Sequence, residues 1–428
     1  MKDNKKFFLG VFIGMIVMVL LAVGLVDLAF QNRNVRMLLF DTVKNMSTIS
    51  FEETESEKQS NVSGAAIDWN KVTDKEEEIY NTIDEYYLNG IDNDKMKDGI
   101  YKGMVDSLGD PYTVYYNSEE YKQFTSSSSG TYSGIGVAVS QNVTTGAITI
   151  VKTFKKGSGE KEGMKPGDVI YKVEGKKIEG LELSKVVSMI KGEEGTFVKV
   201  TVLRDGKEIE FNLERKKLEV DTVNYRMEDR SGKKIGYISV SEFDEVTASQ
   251  FKSAISELSK EGMEGLVIDL RDNPGGLLDV TCEMLDRMIK KGLLVYTVDK
   301  YGKRVDEDAT DSDSFDKPVA ILVNGNSASA SEVFSGAMKD YKAATLVGTK
   351  TFGKGIVQSI VPFGDGTAMK VTVSKYYTPN GVNIHGTGIE PDVVVELSKD
   401  ATKNGKYDRK YDNQLDKALD VVVDKLKK

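Results

Sequence analysis

The most apolar stretch of the chain comes first. Phe7–Val26 is an uncharged run of 20 residues, about the length that crosses a bilayer as a helix. Lys2, Lys5 and Lys6 precede it and favour a cytoplasmic N-terminus. The pattern predicts a retained single-pass anchor rather than a cleaved signal, with the rest of the chain outside the cytoplasm. Residues 31–70 turn polar and read as a tether. Ile79, Ile83, Tyr86 and Tyr87 then fall at helical spacing, as do Met96, Ile100, Met104 and Leu108, before Gly109-Asp110-Pro111 stops the second helix. The serine run in Thr125–Gly130 reads as a flexible joint.

From Gly134 the period becomes that of strands. Gly134–Ser140, Ala147–Thr153 and Val169–Val173 read as strands, Glu182–Lys191 as a short amphipathic helix, and Thr196–Leu203 with Lys207–Leu213 as a hairpin around Asp205-Gly206. From Lys234 strands and helices alternate: Ile235–Val240, Ala248–Ser259, Gly265–Leu270, Leu277–Ile289, Val319–Val323 and Ala330–Lys339. That is α/β layering around a buried sheet. Ile356–Val361 and Thr367–Ser374 follow as late strands. Asn413–Lys425 is an amphipathic helix that can pack on its own domain or on a second chain, so a homodimer stays open. The expected parts are 1–30 (cytoplasmic tip and anchor), 31–70 (linker), 71–125 (helical), 130–216 (a β-rich module), 220–397 (an α/β core) and 398–428 (C-terminal helical).

Composition narrows the chemistry. A net charge of −9 argues against nucleic acid as a partner. One cysteine, Cys282, excludes an internal disulfide and a thiolate zinc site. One histidine, His385, means that a Ser-His-Asp triad must use it, with Asp365 or Asp392 as partner. No metal or organic cofactor is called for.

Ser133-Gly134-Ile135-Gly136-Val137 resembles the carboxylate-binding loop of PDZ domains, and the order of loop, strand, Lys-Pro-Gly-Asp turn and amphipathic helix follows that fold. The resemblance implies that Gly134, Ile135, Gly136 and Val137 cradle a peptide C-terminus, with Val186, Val187 and Ile190 as the candidates to face its last side chains, some of them belonging to the core instead. Further on stand Arg271-Asp272-Asn273-Pro274-Gly275-Gly276, Asn326-Ser327-Ala328-Ser329-Ala330-Ser331-Glu332, Gly348 to Gln358, and Gly386-Thr387-Gly388-Ile389-Glu390-Pro391-Asp392. With Gly109-Asp110-Pro111-Tyr112-Thr113 upstream, these resemble the carboxy-terminal processing (tail-specific) protease family over about residues 75–425. That resemblance implies a crotonase-like α/β core preceded by the PDZ module, Ser329 as nucleophile, Lys354 as general base and Gln358 as the residue orienting it. Without it, Ser327, Ser329, Ser331 and Ser335 are equivalent candidates.

The residues themselves suit the assignment. Ala330 at a helix start offers an unpaired N–H, and the Gly275-Gly276 backbone offers another, which together would form an oxyanion hole. A buried lysine can be neutral and act as a base. The substrates expected are proteins or peptides with accessible C-termini. Two rivals follow from the same sequence: a PDZ scaffold without activity, and a crotonase-like enzyme acting on acyl thioesters.

Overall fold

The computed structural model describes residues 66–142, 145–154, 156–310, 314–403 and 406–427. The apolar run Phe7–Val26 lies outside the described residues. Among those described, no helix is long and apolar enough to cross a membrane. The chain divides into two units, Met1–Gly90 and Ile91–Lys428. In the first, helix α1 (Trp69–Tyr86) is capped by Asp68, whose carboxylate accepts the Lys71 N–H.

The second unit begins with α2 (Asn93–Asp106), β1 (Val114–Tyr116) and α3 (Ser118–Ser128). Helix α3 starts in a reciprocal cap between Asn117 and Glu120. It runs through most of the expected joint, so the serine run is helix rather than hinge. The hydroxyls make this possible by turning back onto the preceding turn: Thr125 Oγ1 donates to Tyr121 O (2.9 Å) and Ser128 Oγ to Phe124 O (3.1 Å).

The β-rich module follows. It contains β2 (Thr131–Gly134), β3 (Val137–Gln141), β4 (Ile148–Thr153), the single turn α4 (Ser158–Lys161), β5 (Val169–Val173), β6 (Lys176–Lys177), α5 (Leu183–Ile190), β7 (Phe197–Arg204), β8 (Lys207–Glu214) and β9 (Lys216–Glu219). Its sheet has the order β3-β4-β5-β7-β8. The β7–β8 turn places Asp205 and Gly206 at φ 52 and 75, the left-handed pair that an Asp-Gly turn supplies. Strands β2 and β9 pair antiparallel, Thr131 opposite Glu219, so the two chain ends of the module are clasped together.

The α/β core is built from β10 (Val223–Arg230), β11 (Lys233–Val240), α6 (Thr247–Lys260), β12 (Gly265–Asp269), α7 (Leu278–Asp286), β13 (Lys291–Asp299), β14 (Arg304–Thr310), β15 (Val319–Val323), α8 (Ala330–Asp340), β16 (Ala344–Gly348), β17 (Ile356–Pro362), β18 (Ala368–Tyr377) and β19 (Val393–Val394). A short hairpin, β20 (Thr402–Lys403) and β21 (Lys406–Tyr407), precedes α9 (Asn413–Leu426). One sheet has the order β10-β11-β12-β15-β16-β19. It is parallel except for β10. Strands β12 and β15 are buried at every position, as expected for strands covered on both faces. Phe251, Leu258, Met284 and Phe334 from α6, α7 and α8 cover one face. Leu415, Leu419 and Val422 of α9 cover the other, against Ile235, Val267 and Leu322. The C-terminal helix therefore packs on its own unit. The second sheet has the order β1-β18-β13-β14, with β17 on β18.

Leu419 is completely buried in this second layer. Leu419→Ala should destabilise the fold by ~2–5 kcal/mol, read by chemical denaturation.

Candidate active site

The sheet delivers its central strand β15 to a tight loop, and Ser329 sits at the end of that loop, immediately before α8. Its backbone is at φ 55 and ψ −115, a conformation that is strained for any residue with a Cβ and persists only when its surroundings enforce it. They do so here. The Ala328 N–H donates to Asn273 O (3.1 Å), and the Ser329 N–H donates to Glu332 Oε2 (2.9 Å). The Tyr376 hydroxyl reaches Ser329 O (3.1 Å).

The four serines that are equivalent in sequence differ in space. Ser327 and Ser331 are fully buried, and their hydroxyls donate to Leu270 O (2.7 Å) and Asn273 O (3.0 Å). Ser335 is fully buried as well. Ser329 alone of the four keeps solvent access.

Glu332 is the residue that sequence reasoning passed over. Its carboxylate is fully buried. It accepts from the Ser329 N–H, the Lys354 N–H (2.8 Å), the Gly353 N–H (2.8 Å) and Thr351 Oγ1 (2.5 Å). One side chain thus ties the backbone of Ser329 to that of Lys354. Tyr376 repeats the tie from the other side, since its hydroxyl also contacts the Lys354 carbonyl. Burial, with the Glu332 charge nearby, pushes the Tyr376 phenol well up, so it stays protonated and donates. The signal for Glu332 was present in the sequence as Ser329-x-x-Glu332, the spacing of a helix capping box.

The Lys354 side chain is half-buried. Burial, aided by the charge of Lys370, lowers its pKa from the usual lysine value, while Asp110 opposes the shift. Its Nζ lies over the Tyr112 ring, 4.6 Å from the centroid. The flanking glycines admit a neighbouring loop: a Cβ on Gly355 would lie 2.6 Å from the His385 N atom, and one on Gly353 would lie 3.0 Å from the Gly388 N atom. Gln358 stands beside a β-bulge at Val357/Gln358. Its amide donates weakly to Ile356 O at 3.5 Å, so its bond is to its own strand and the expected contact with the lysine amine is not among its hydrogen bonds.

Gly275 and Gly276 lie next to the Ser329 turn. A Cβ on Gly275 would sit 2.9 Å from Ser329 Cβ and 3.0 Å from the Ala330 N atom. Its own N–H, however, donates to Asn273 Oδ1 (2.8 Å), so Gly275 contributes open space rather than a free donor. Gly276 packs against the Phe243 backbone, where a Cβ would lie 2.3 Å from Phe243 O.

His385 is exposed. Asp392 accepts from Leu346 N (2.8 Å) and pairs with Lys339 (3.2 Å), so a triad with His385 finds no support there. Burial pushes the Cys282 thiol up to about 12, which makes it a poor nucleophile.

In the β-rich module, Gly134, Ile135 and Gly136 are buried and Val137 is half-buried at the start of β3. Val186 and Ile190 point into the module's own core (0% and 6% exposed), because an amphipathic helix of two turns must use its most apolar positions to hold itself to the sheet. Val187 stays partly exposed. The expected trio therefore divides, with two residues in the core and one partly exposed. Gln141 closes the far end, its amide donating to Leu181 O (3.0 Å) and accepting the Leu183 N–H (3.1 Å).

This layout suits acyl transfer to a serine hydroxyl, and the class it defines is that of serine-type hydrolases. Residues 234–395 match the family model for peptidase family S41, residues 133–214 that for the PDZ domain, and residues 32–120 that for the activating protease CtpB N-terminal domain. A "probable CtpA-like serine protease" of Staphylococcus haemolyticus is 40% identical over 338 residues, which cover 78% of this chain and 67% of that protein. Its counterpart in Staphylococcus aureus strain N315 is 40% identical over 329 residues, 76% of this chain and 65% of that protein. Among solved structures, a photosystem II D1 C-terminal processing protease is 29% identical and aligns over 78% of this chain and 89% of its own, with a TM-score of 0.45. The chain belongs to peptidase family S41. It spans about two thirds of the length of the Staphylococcus relatives.

Gly275→Ala should test the space beside Ser329. Its φ of +109 and the contacts above oppose any Cβ. A folded variant by circular dichroism should lose about 10²-fold or more in casein hydrolysis, the scale on which a small displacement of reacting groups acts.

Proposed function

We propose that the protein is a serine endopeptidase of the C-terminal processing type, cutting extracytoplasmic or membrane-linked proteins near a C-terminus. One observation carries this reading: the accessible serine of the motif, Ser329, and the half-buried Lys354 are fastened to the same buried carboxylate. On this reading neutral Lys354 takes the Ser329 hydroxyl proton as the oxygen attacks the peptide carbonyl. The N–H groups of Ala330 and Gly276 receive the developing oxyanion, and the lysine returns the proton to the departing amine. Water then repeats the sequence on the acyl-enzyme. Gln358 would steady the amine once the side chains close on substrate. The reading places the PDZ module at 130–216 and a crotonase-like core at 220–397. The mixed α/β sheet with helices on both faces supports such a core. The apolar run Phe7–Val26 supports a membrane-anchored, extracytoplasmic placement.

Gating by the PDZ module is supported by a short run of contacts. Gly130, at the base of the module, packs so closely on Asp244 and Val246 that a Cβ would lie 2.9 Å from Asp244 Cβ and 2.7 Å from Val246 Cγ2. The adjacent Phe243 N–H donates to Gly275 O (2.9 Å), and Phe243 O accepts the Leu277 N–H (2.7 Å). The module's root thus touches the segment that holds the turn beside Ser329.

Ser329→Ala should abolish casein cleavage with the fold retained. Undiminished activity in the pure variant would move the nucleophile elsewhere. Because only the neutral lysine can accept a proton, kcat/KM should rise with pH through the lowered lysine pKa and fall away on the acid side. Lys354→Arg should be nearly inactive at every workable pH, since guanidinium stays protonated. Gln358→Ala should be milder. Wild-type behaviour of Lys354→Arg in a pH–rate profile would eliminate the lysine mechanism.

A further inference from the structure

The Gly109-Asp110-Pro111-Tyr112-Thr113 turn is far from the catalytic segments in sequence and takes no part in the reaction as described so far. In space it meets them. Asp110 organises the turn, accepting the Tyr112 N–H at Oδ1 (3.0 Å) and Thr113 Oγ1 at Oδ2 (2.6 Å). Thr113 Oγ1 in turn accepts the Thr372 N–H of β18 (3.1 Å), and Val114 is registered opposite Lys370 on the same strand. Thr372 is also the register partner of Gln358 on β17. The turn is therefore fixed to the strand that neighbours the lysine segment, and the Tyr112 ring faces the Lys354 ammonium at 4.6 Å.

An aromatic face attracts a cation through its quadrupole and offers no comparable attraction to a neutral amine. We propose that Tyr112 is a positioning residue for the general base. Its ring holds the protonated Lys354 ammonium in a resting place, and the amine leaves the ring as it gives up its proton to become available to Ser329. The proposal rests on reading Lys354 as the base.

The other groups around the lysine are compatible with this division of labour. Lys370 on β18 disfavours the lysine's charge and Asp110 on the turn favours it. Glu332 from α8 and Tyr376 from β18 bind the Lys354 main chain, through its N–H and its carbonyl respectively. His385, on the loop against Gly355, bears on Asp110. Lys370 is itself shared between two rings, lying 5.7 Å from the Tyr116 centroid and 5.9 Å from that of Phe124. Among the described residues, the contact recorded for the Lys354 amine itself is the Tyr112 face.

The sign of the effect is definite. A contact that favours the ammonium raises the lysine pKa, so weakening it should lower that pKa and move the acid limb of kcat/KM to lower pH. The measurement is the titration of Lys354 in the full-length protein labelled with ¹³Cε-lysine, its resonance assigned by loss in Lys354→Arg, alongside the pH–rate profile. Tyr112→Leu keeps apolar bulk and removes the ring, and should lower both values by about half a unit or more. Tyr112→Phe keeps the face and should leave both where they are. A trifluorinated phenylalanine at position 112 keeps the shape while weakening the quadrupole. It should shift both in the Leu direction, and it guards against a Leu variant that fails to fold. A Lys354 pKa that stays or rises in the Leu and fluorinated proteins overturns the proposal, as does a Phe variant that shifts as far as Leu. A lysine pKa that falls while the kinetic limb stays put leaves the ring contact standing and overturns Lys354 as the base.

Discussion

The arrangement around Ser329 depends on one buried carboxylate. Glu332 has no access to water, and an isolated carboxylate in that position would be costly. It is tolerated because it accepts from four donors, three of them backbone N–H groups, and charge-assisted bonds of this kind are the strong ones. The geometry that satisfies the carboxylate also fixes the site. One bond holds the strained Ser329, two hold Gly353 and Lys354, and the last holds Thr351. The Ile389 N–H donates to that threonine's hydroxyl oxygen (2.7 Å). A loss at Glu332 would strand these donors together rather than weaken one contact.

The same economy appears in the glycines. Gly353 and Gly355 let the loop from His385 to Gly388 lie directly on the lysine segment, while Gly275 keeps the volume beside Ser329 free of a Cβ. The segments of the candidate site come from distant parts of the chain, and Gly275, Gly353 and Gly355 permit the close backbone approaches between them. The lysine's environment follows from the fold too. It stands at the head of β17, beside the sheet edge where β1 and its preceding turn join β18, and this is why an aromatic ring from residue 112 reaches an amine at residue 354.

Much of this architecture was legible in the chain. The strands of the parallel sheet are continuous apolar runs and the helices between them have clean periodicity, so Val319–Val323 and Ala330–Asp340, the two elements that flank Ser329, emerge almost to the residue. Strands β13 and β14 did not emerge. Arg304–Thr310 is nearly all exposed, with no apolar face to betray a period, and β13 carries an irregularity between Leu293 and Val295 that breaks its alternation. The serine run was misread because hydroxyl groups that usually compete with a helix here bond back within it. Which of Val186, Val187 and Ile190 belong to the core was not legible, because periodicity finds an apolar face without saying what each part of it meets. The link from Glu332 to Lys354 and the placement of Tyr112 over that lysine were not legible for a different reason: each spans more than twenty residues of sequence, and the local capping-box spacing marks only the bond from Glu332 to Ser329.

The C-terminal segment completes the support of the turn at Gly275. Arg271 is buried with both of its carboxylate partners. Its guanidinium donates to Asp269 (2.6 Å), to Asp412 (2.8 and 2.9 Å) and to Gln414 Oε1 (3.0 Å), and it stacks 3.8 Å from the centre of the Tyr407 ring. Such a buried network is weak evidence for stability, because desolvation offsets most of its attraction, but it admits few alternative geometries. It fixes Arg271 at the end of β12 and so sets where Asp272 turns. Asp272 adopts φ 60, and its carboxylate is held by Asn326 (2.8 Å), Asn324 (2.9 Å) and the Tyr407 hydroxyl (2.7 Å). Asn273 then reaches both the Ala328 N–H and the Gly275 N–H. The path from the C-terminal helix to the Ser329 turn thus runs through polar groups whose partners are each specified. The apolar face of α9 anchors that path to the sheet, and the residues just before the helix aim it at the active site.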